Sequence, residues 1–492
     1  MTAPGIALGS GAGRWVLAVT VLGSGMAFLD GTVVNVALPT IGRDLEASTA
    51  SLQWILNGYT LALASLILLG GSLGDRLGRR RIFVLGVIVF TCSSAVCAVS
   101  PTVEVLIFAR IVQGVGGALL TPGSLAIIEA SFRASDRPRA IGAWTGLTGV
   151  ASAVGPLLGG YLVSAFSWRA VFLLNLPVGA TVVGFAHRVP ETRDPSARGP
   201  LDTRGALLGA IGLAGTTYAL IEGPEKGLSG EIIVTAAVGL LGFAAFLFSE
   251  GRGKNPMVPL SMFASRLFTA ANVVTFVVYA AIGAFFFLLI SFLQISLGYS
   301  PIGAGAATLP VTILMLVLSA RSGGLAQRIG PRIPLTVGPL MITAGLLLLA
   351  RVEPGDSYVA GVLPGVVVFG LGLTLVASPV TATVMAAADQ SRAGIASGIN
   401  NAVARVANLL SVAALPLLAD LGGQRFYQPA AMTHGFHIAM IVAAGLSALG
   451  GAVAWLTITD DALEAEPKRR GQEPVTVPTG PACSLAGPPP AR

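Results

Sequence analysis

Three charged side chains of this 492-residue chain lie deep inside long apolar runs, and these are the residues whose type and place could support chemistry. They are Asp30, Arg110 and Arg405. An ionisable side chain in the middle of a membrane costs about 2.5–3.5 kcal/mol on insertion scales, so a functional use is the first expectation. A carboxyl group can take up and release a proton, whereas an arginine keeps its charge.

Asp30 and Arg110 are predicted to lie at the same depth. Asp30 stands about eight residues before the end of its run, and Arg110 about seven residues after the start of its own, which is roughly 12 Å and 11 Å at about 1.5 Å per residue. Two interpretations follow. Either Asp30 carries a proton and Arg110 helps to switch it between loaded and empty, or the two residues form a permanent structural ion pair. The first is our expectation.

Arg405 shares one face of a predicted helix with Asn401 and Asn408, because residues three and four apart lie on the same side. Lipid cannot satisfy such a polar stripe, so the stripe must face the protein interior or a watery cavity. It either lines a route for a substrate or joins helices by hydrogen bonds. A cation at this place favours substrates that have an acidic or polar part.

The composition places most of the chain in a membrane. Apolar residues make up 54% of it and charged residues 11%, against about 25% charged in soluble proteins, and the mean hydropathy is +0.80. These values exclude a soluble enzyme, a secreted disulfide scaffold and a disordered chain. Neither Lys226, Lys254 nor Lys468 precedes Ser or Thr, which excludes a Walker A loop. We expect no catalytic residue, and no metal-ligand cluster is evident.

Fourteen runs are long and apolar enough to cross a bilayer, for which about 20 residues are needed. The predicted spans are 15–38, 52–71, 82–99, 103–126, 140–164, 168–186, 205–222, 231–249, 267–296, 303–320, 333–350, 359–386, 395–417 and 435–458. The predicted fold class is therefore an all-α polytopic membrane protein.

The basic residues predict the orientation of these spans, since Lys and Arg collect in cytoplasmic loops. If the N-terminus is inside, most of the 30 basic residues fall on the cytoplasmic side. The opposite side then holds only Arg43, Arg169, Lys226, Arg351 and Arg425. We therefore expect both termini in the cytoplasm and a multi-pass protein of the cytoplasmic membrane.

One short pattern occurs twice in the chain. Gly71, Leu73, Arg76, Gly78 and Arg80 recur with the same spacing within residues 323–332, again in a turn between spans. Repeated six-helix halves around a cavity are typical of secondary transporters, which makes spans 7 and 8 an inserted pair. The predicted domains are a cytoplasmic tail (1–14), a six-helix bundle (15–188), a linker with two inserted spans (189–265), a second six-helix bundle (266–458) and a flexible cytoplasmic tail (459–492).

At these residues the chain resembles the major facilitator superfamily, and within it the fourteen-helix drug/proton antiporters of the QacA and EmrB type. Residues 71–80 match the loop signature, residues 110–118 the fourth-helix signature, residues 29–39 the first-helix signature of that branch, and residues 155–160 the antiporter motif. The resemblance extends over about residues 12–460. Ala151 replaces a glycine of the antiporter motif, and Gln327 replaces the acid of the second loop copy.

Two of these motifs are expected to act on conformation. A latch that holds the cytoplasmic side closed, with its acid pairing across helix ends, would consist of Gly71, Asp75, Arg76, Gly78, Arg79 and Arg80. A solvated basic turn is the alternative. The antiporter motif, Gly155, Pro156, Gly159 and Gly160, is expected to allow close helix packing and a bend.

The resemblance implies a proton-coupled secondary transporter that exports lipophilic or amphiphilic small molecules by alternating access. It would use the proton gradient and no cofactor, work as a monomer, and have substrate, protons and membrane lipid as partners, with no nucleic acid. The candidate substrate cavity consists of Asn35, Trp54, Asn57, Gln113, Tyr279, Asn401, Arg405 and Asn408. The alternatives are a dedicated exporter of an endogenous metabolite or lipid-like compound, and a receptor or scaffold that does not transport.

Overall fold

A computed structural model describes residues 5–194, 201–253, 256–388 and 392–460. Fourteen helices in these ranges are long and apolar enough to cross a membrane. They are α1 (Gly11–Asp44), α2 (Thr49–Leu77), α3 (Arg79–Val99), α4 (Val103–Ser131), α5 (Arg137–Ala165), α6 (Arg169–Arg188), α7 (Thr203–Lys226), α8 (Gly230–Arg252), α9 (Arg266–Ile295), α10 (Pro301–Ser319), α11 (Arg332–Leu349), α12 (Tyr358–Ala386), α13 (Gly394–Leu418) and α14 (Pro429–Thr457).

The predicted all-α fold with fourteen spans is confirmed. Within the described residues, the β-structure is a single isolated bridge between Ile6 and Phe132. The predicted C-terminal tail lies outside the described residues from 461 onward, as do residues 1–4 and the linker segments 195–200 and 254–255.

Hydroxyl side chains start many of these helices. Ser10 accepts a hydrogen bond from the Gly13 backbone N–H at 3.0 Å, and Ser48 accepts one from Ser51 at 3.3 Å. Such caps satisfy backbone donors that have no partner within the first helical turn. Short turns therefore suffice between consecutive spans, and each helix returns directly against a neighbour.

The helices pack in two groups with a pair between them. Helices α1–α6 contact one another, mainly through α2 with α4, α3 with α4 and α1 with α5. Helices α9–α14 do the same, mainly through α11 with α12 and α9 with α14. Helices α7 and α8 pack together, and α7 also contacts α2 and α13. Small residues permit this closeness: a Cβ on Gly116 of α4 would lie 2.6 Å from the Phe90 backbone nitrogen of α3.

One face of the molecule carries the basic turns 76–81 and 133–139, and we call it the basic face. At the opposite face the two groups are joined. The Gln53 amide of α2 donates to the Val412 carbonyl of α13 at 2.7 Å, and the Gln294 amide of α9 donates to the Val36 carbonyl of α1 at 3.0 Å. A Cβ on Gly160 of α5 would lie 2.6 Å from the Ile302 Cα of α10.

The connecting segment before α14 adds to this closure. Tyr427 donates a hydrogen bond to the Ala47 carbonyl, just after α1, at 2.6 Å. Burial raises the pKa of Tyr427 to about 12, so its hydroxyl keeps the proton that it donates. The Thr49 hydroxyl also donates to the Gly423 carbonyl at 2.9 Å. The two groups are therefore fastened by hydrogen bonds at the opposite face.

Towards the basic face, α5 and α10 separate. Apart from the backbone of α5 itself, no atom of the described residues lies within 4 Å of where a Cβ on Gly142, Gly146 or Gly149 would be. Helices α2 and α13 remain close over more of their length towards the basic face, since a Cβ on Gly398 would lie 3.0 Å from the Leu68 side chain. A cleft between the two groups thus opens at the basic face and is closed at the opposite one.

Candidate functional site

Asp30 of α1 and Arg110 of α4 form a buried ion pair inside the first helix group. The Arg110 Nη1 atom lies 2.6 Å from the Asp30 Oδ2 atom, and each residue is 1% exposed. The sequence predicted that the two residues share one depth, and the structure brings them into contact.

Two amides complete the surroundings of the Asp30 carboxylate. The Gln113 Nε2 atom donates to Asp30 Oδ1 at 3.0 Å, and the Asn175 Nδ2 atom of α6 donates to the same oxygen at 2.9 Å. Both amides also reach the Ser94 hydroxyl of α3, at 2.7 and 3.0 Å. Side chains of α1, α4 and α6 thus meet at one carboxyl group, and Ser94 of α3 joins the same hydrogen-bond network.

Hydrogen bonds and a ring contact also hold the Arg110 side chain in place. Its Nε atom donates to the Ile55 carbonyl of α2 at 3.0 Å, and its Nη1 atom also donates to Gln113 Oε1 at 2.6 Å. The Tyr59 ring lies 4.5 Å from the guanidinium carbon, a favourable cation–π distance. Protonation of Asp30 would therefore weaken an ion pair that links α1 to α4, and through Arg110 to α2.

Asn175 and Ser94 were not predicted as site residues. Asn175 lies within the apolar span predicted over residues 168–186, and Ser94 is one of two adjacent serines in the apolar run 82–99. A buried amide in an otherwise apolar span would have been the available signal for Asn175. Which carboxylate it contacts depends on the packing of α6 against α1 and α3.

Arg405 lies in the cleft between the two helix groups. Its guanidinium carbon is 5.9 Å from the centre of the Phe28 ring of α1, and its Nε atom donates a long hydrogen bond of 3.4 Å to Asn401 Oδ1. The Tyr59 and Tyr279 phenol groups lie within electrostatic range of its guanidinium. Asn401 is exposed, while Arg405, Tyr279 and Phe28 are partly exposed. We call these four residues, Phe28, Tyr279, Asn401 and Arg405, the cleft residues.

The other residues of the predicted substrate cavity do not lie together in the structure. Asn35 donates to the Gly31 carbonyl of its own helix at 2.9 Å, and Asn408 packs against Gly283 of α9. Asn57 is 1% exposed, and neither polar atom of its side chain has a hydrogen-bond partner in the part of the chain that the structure describes.

Two candidates are located away from the cleft. The Trp54 Nε1 atom donates to Glu222 of α7 at 2.9 Å, so its indole faces the inserted pair. Gln113 is fully buried and belongs to the Asp30 cluster.

The basic turn after α2 is docked on the end of its own helix group. Asp75 accepts from the Arg79 Nε atom at 2.8 Å, and the Arg79 Nη1 atom reaches the Ala126 carbonyl of α4 at 3.4 Å. The Arg80 backbone N–H donates to Glu191, which follows α6, at 3.1 Å. Gly78 has φ +119°, and a Cβ there would lie 2.7 Å from the Glu191 Oε1 atom.

Both the backbone angle and the lack of space therefore require glycine at position 78. Glu191 was not predicted as part of this turn. It also lies 3.7 Å from the Arg80 Nε atom. Gly71 packs near Pro122 of α4, and Arg76 lies on the same turn as Asp75.

The second copy of the pattern is docked in a similar way. Gly330 has φ +81°, and a Cβ there would lie 2.7 Å from the Asp460 side chain, which follows α14. The Arg332 Nε atom donates to the Trp455 carbonyl of α14 at 3.1 Å. Each turn thus rests on the chain that leaves the last helix of its own group.

The antiporter motif of α5 lies where three helices meet. Gly155 and Gly159 face α1, since a Cβ on Gly159 would lie 3.0 Å from the Val33 side chain. Gly160 faces α10, and the Pro156 carbonyl is in contact with Gly305 of the same helix. The motif therefore forms the contact between the two groups at the closed end of the cleft.

Comparisons with known proteins agree with this architecture. The family model of the Major Facilitator Superfamily matches residues 20–412. The chain is 37% identical to the multidrug resistance protein Stp of Mycobacterium tuberculosis over 402 residues, which cover 81% of this chain and 74% of Stp. It is 35% identical to a methylenomycin A resistance protein of Streptomyces coelicolor over 458 residues, covering 92% and 93% of the two chains.

A solved structure shares the fold. It is the crystal structure of a bacterial homologue of the human lysosomal transporter Spinster, in an inward-facing and unoccupied conformation. It superposes with a TM-score of 0.62 at 18% identity, covering 94% of this chain and 99% of that one. Such a likeness concerns the fold alone. The extent of the family match and the identity to the two resistance proteins decide the matter: this chain belongs to the major facilitator superfamily and is a multi-pass membrane transporter.

Proposed function

We propose that this protein exports lipophilic or amphiphilic small molecules in exchange for protons, by alternating access. The observation that carries the proposal is the Asp30 carboxylate, buried in the transport fold and held by Arg110, Gln113 and Asn175. The names of the relatives support export, since one is a multidrug resistance protein and the other a resistance protein for one antibiotic.

The structure then corresponds to an inward-facing state. We take the basic face as cytoplasmic, following the distribution of Lys and Arg. The cleft is open to that face and is closed opposite it by the Gln53, Gln294 and Tyr427 hydrogen bonds. A substrate from the cytoplasm or the inner leaflet would enter between α5 and α10.

Proton transfer would be tied to the alternation of the two halves, residues 15–188 and 266–458, joined by the linker 189–265. In the inward-facing state Asp30 is paired with Arg110 and sealed from water at 1% exposure. A proton that arrives from outside would neutralise Asp30 and free Arg110 from its ion pair. Because these residues connect α1, α2, α4 and α6, this change alters the packing of the half that lines the cleft.

The turn at residues 71–80 would stabilise the outward-facing state, in which the cytoplasmic side is closed. In the inward-facing state the turn is docked on its own half, through Asp75 with Arg79 and through Arg80 with Glu191. We propose that it acts as a latch when the halves meet at the cytoplasmic side. The antiporter motif lies at the opposite end of the cleft, where Gly160 and Pro156 close the outer side.

A dedicated exporter of one compound is the second candidate. It is favoured by a relative whose match covers 92% of this chain and whose name is methylenomycin A resistance protein. We propose in either case a monomer that needs no cofactor beyond the proton gradient.

Reconstitution into proteoliposomes with an imposed pH gradient tests the proposal. We expect uptake of aromatic dyes into inside-out vesicles with an acidic interior, and loss of uptake when an ionophore collapses the gradient. A panel of acidic, neutral and cationic dyes separates broad from narrow specificity. A receptor or scaffold would show no gradient-dependent flux of any dye, and that result would refute the proposal.

A further inference from the structure

Arg405 is a cation near the middle of α13, and no ion pair joins it to an acidic side chain among the described residues. It stands about 11 residues from the start of a helix that rises about 1.5 Å per residue, hence roughly 17 Å into the span. Among the described residues, ion pairs form elsewhere, and the hydrogen bond assigned to Arg405 is the long one from Nε to Asn401. The Nη groups of its guanidinium remain available as donors.

The other two charged residues deep in the spans do not neutralise the charge of Arg405. Asp30 and Arg110 neutralise each other and are both 1% exposed, so neither presents a net charge to the cleft. Of the three charges placed deep in spans, Arg405 alone is partly exposed between the two halves. The middle of the cleft therefore has positive character.

The side chains around Arg405 are aromatic and amide groups. Phe28 approaches from the opposite half at 5.9 Å, and Tyr279 of α9 lies on a partly exposed face together with Phe276. Asn401 accepts from Arg405 through Oδ1, which leaves its Nδ2 group as a further donor. A planar guanidinium with an amide donor beside it binds a carboxylate through two parallel hydrogen bonds, and the rings suit an apolar body.

We propose that the cleft contains an anion subsite at Arg405 and that the preferred substrates are amphiphilic acids: molecules with a carboxylate or phenolate on an aromatic or apolar body. This inference rests on the proposed export function and names the substrate class of its cleft. The acidic group binds Arg405 and Asn401, while the apolar body packs against Phe28 and Tyr279.

A structural role for Arg405 gives different expectations. If the Arg405–Phe28 contact only holds the halves together, its loss alters the binding of acidic and neutral ligands alike. If Arg405 is an anion subsite, its loss affects the acid alone. An acid and its neutral ester, which share one aromatic body, therefore separate the two roles.

The experiment uses the full chain in phosphatidylcholine nanodiscs with two fluorescent probes, 9-anthracenecarboxylate and its methyl ester. We expect the wild-type protein to bind the acid more tightly than the ester. Arg405→Gln, which keeps hydrogen-bond donors but removes the charge, should weaken acid binding roughly 10- to 100-fold, the value of a charge-assisted hydrogen bond. Arg405→Lys should retain part of the preference, and ester binding should not change in either variant.

A matched control is Arg351→Gln, which removes one positive charge at an exposed position after α11. It should leave the binding of both probes unchanged. A lipid headgroup could also supply the acidic group. Added phosphatidylglycerol should compete with the acid in wild-type protein if lipid occupies the subsite, and should have no effect if the ligand is a free amphiphilic acid.

Equal affinity for acid and ester in the wild-type protein, an unchanged acid affinity in Arg405→Gln, or a parallel loss for both probes would each overturn the inference. These binding results do not depend on transport. Gradient-driven export of neutral or cationic dyes with no preference for acids would leave the proposed function intact while refuting the anion subsite.

Discussion

Replacement of Arg110 by methionine should destabilise the protein strongly, because it leaves a buried carboxylate without its cation. In the variant, Asp30 at 1% exposure would keep only the amide donors of Gln113 and Asn175. Breaking a buried ion pair by removing one partner costs about 3–5 kcal/mol. We expect the free energy of unfolding to fall by that amount.

The second replacement, Asp30→Asn, should recover part of this loss. With both charges gone, the remaining cost is a few hydrogen bonds at about 0.5–1.5 kcal/mol each, so the double variant should be more stable than Arg110→Met alone by about 2 kcal/mol. The two single effects are then strongly non-additive, as expected for residues in contact.

Unfolding of the full-length protein by sodium dodecyl sulfate in mixed micelles, followed by circular dichroism, measures these differences. Arg351→Met, at an exposed position, is the control and should lie within about 0.5 kcal/mol of the wild-type protein. If the double variant loses the sum of the two single losses, Asp30 and Arg110 are not coupled and the ion pair does not have the role assigned to it.

Three further predictions concern topology, the latch and the outer closure. Cysteine at Leu228 should react with a membrane-impermeant label from outside, and cysteine at Gly253 only after permeabilisation; the reverse would contradict the orientation. Asp75→Asn should slow transport roughly tenfold with equilibrium substrate binding unchanged, and a matched loss of binding would argue against a latch. Tyr427→Phe removes the 2.6 Å hydrogen bond to Ala47 and should shift the equilibrium towards the outward-facing state by about 1 kcal/mol, roughly fivefold, measured by the distance between spin labels on α5 and α10.

The fold was largely predictable because each span is specified by local composition. A run of about 20 apolar residues has few alternatives in a bilayer, so the count of fourteen could be read from the sequence. The depth argument also placed Asp30 and Arg110 at one level, since both positions could be measured from the ends of their own runs, and the structure brings them into contact.

The residues that complete the site could not be predicted from hydropathy and depth. Asn175 and Glu191 lie far along the chain from Asp30 and Arg80, and only the packing of α6 brings them together. Hydropathy also does not show which way a residue faces. Trp54 was expected in a cavity, but its indole is turned towards Glu222 of the inserted helix pair.

The most direct test of the account is gradient-driven uptake by Asp30→Asn protein in inside-out vesicles. Asparagine is nearly isosteric with aspartate but cannot change charge with pH, and Asp30 lies at the centre of a cluster formed by α1, α3, α4 and α6. We predict that Asp30→Asn still binds substrate and that no substrate accumulates against its gradient. Accumulation at the wild-type rate would show that the proton is carried elsewhere and would contradict the mechanism.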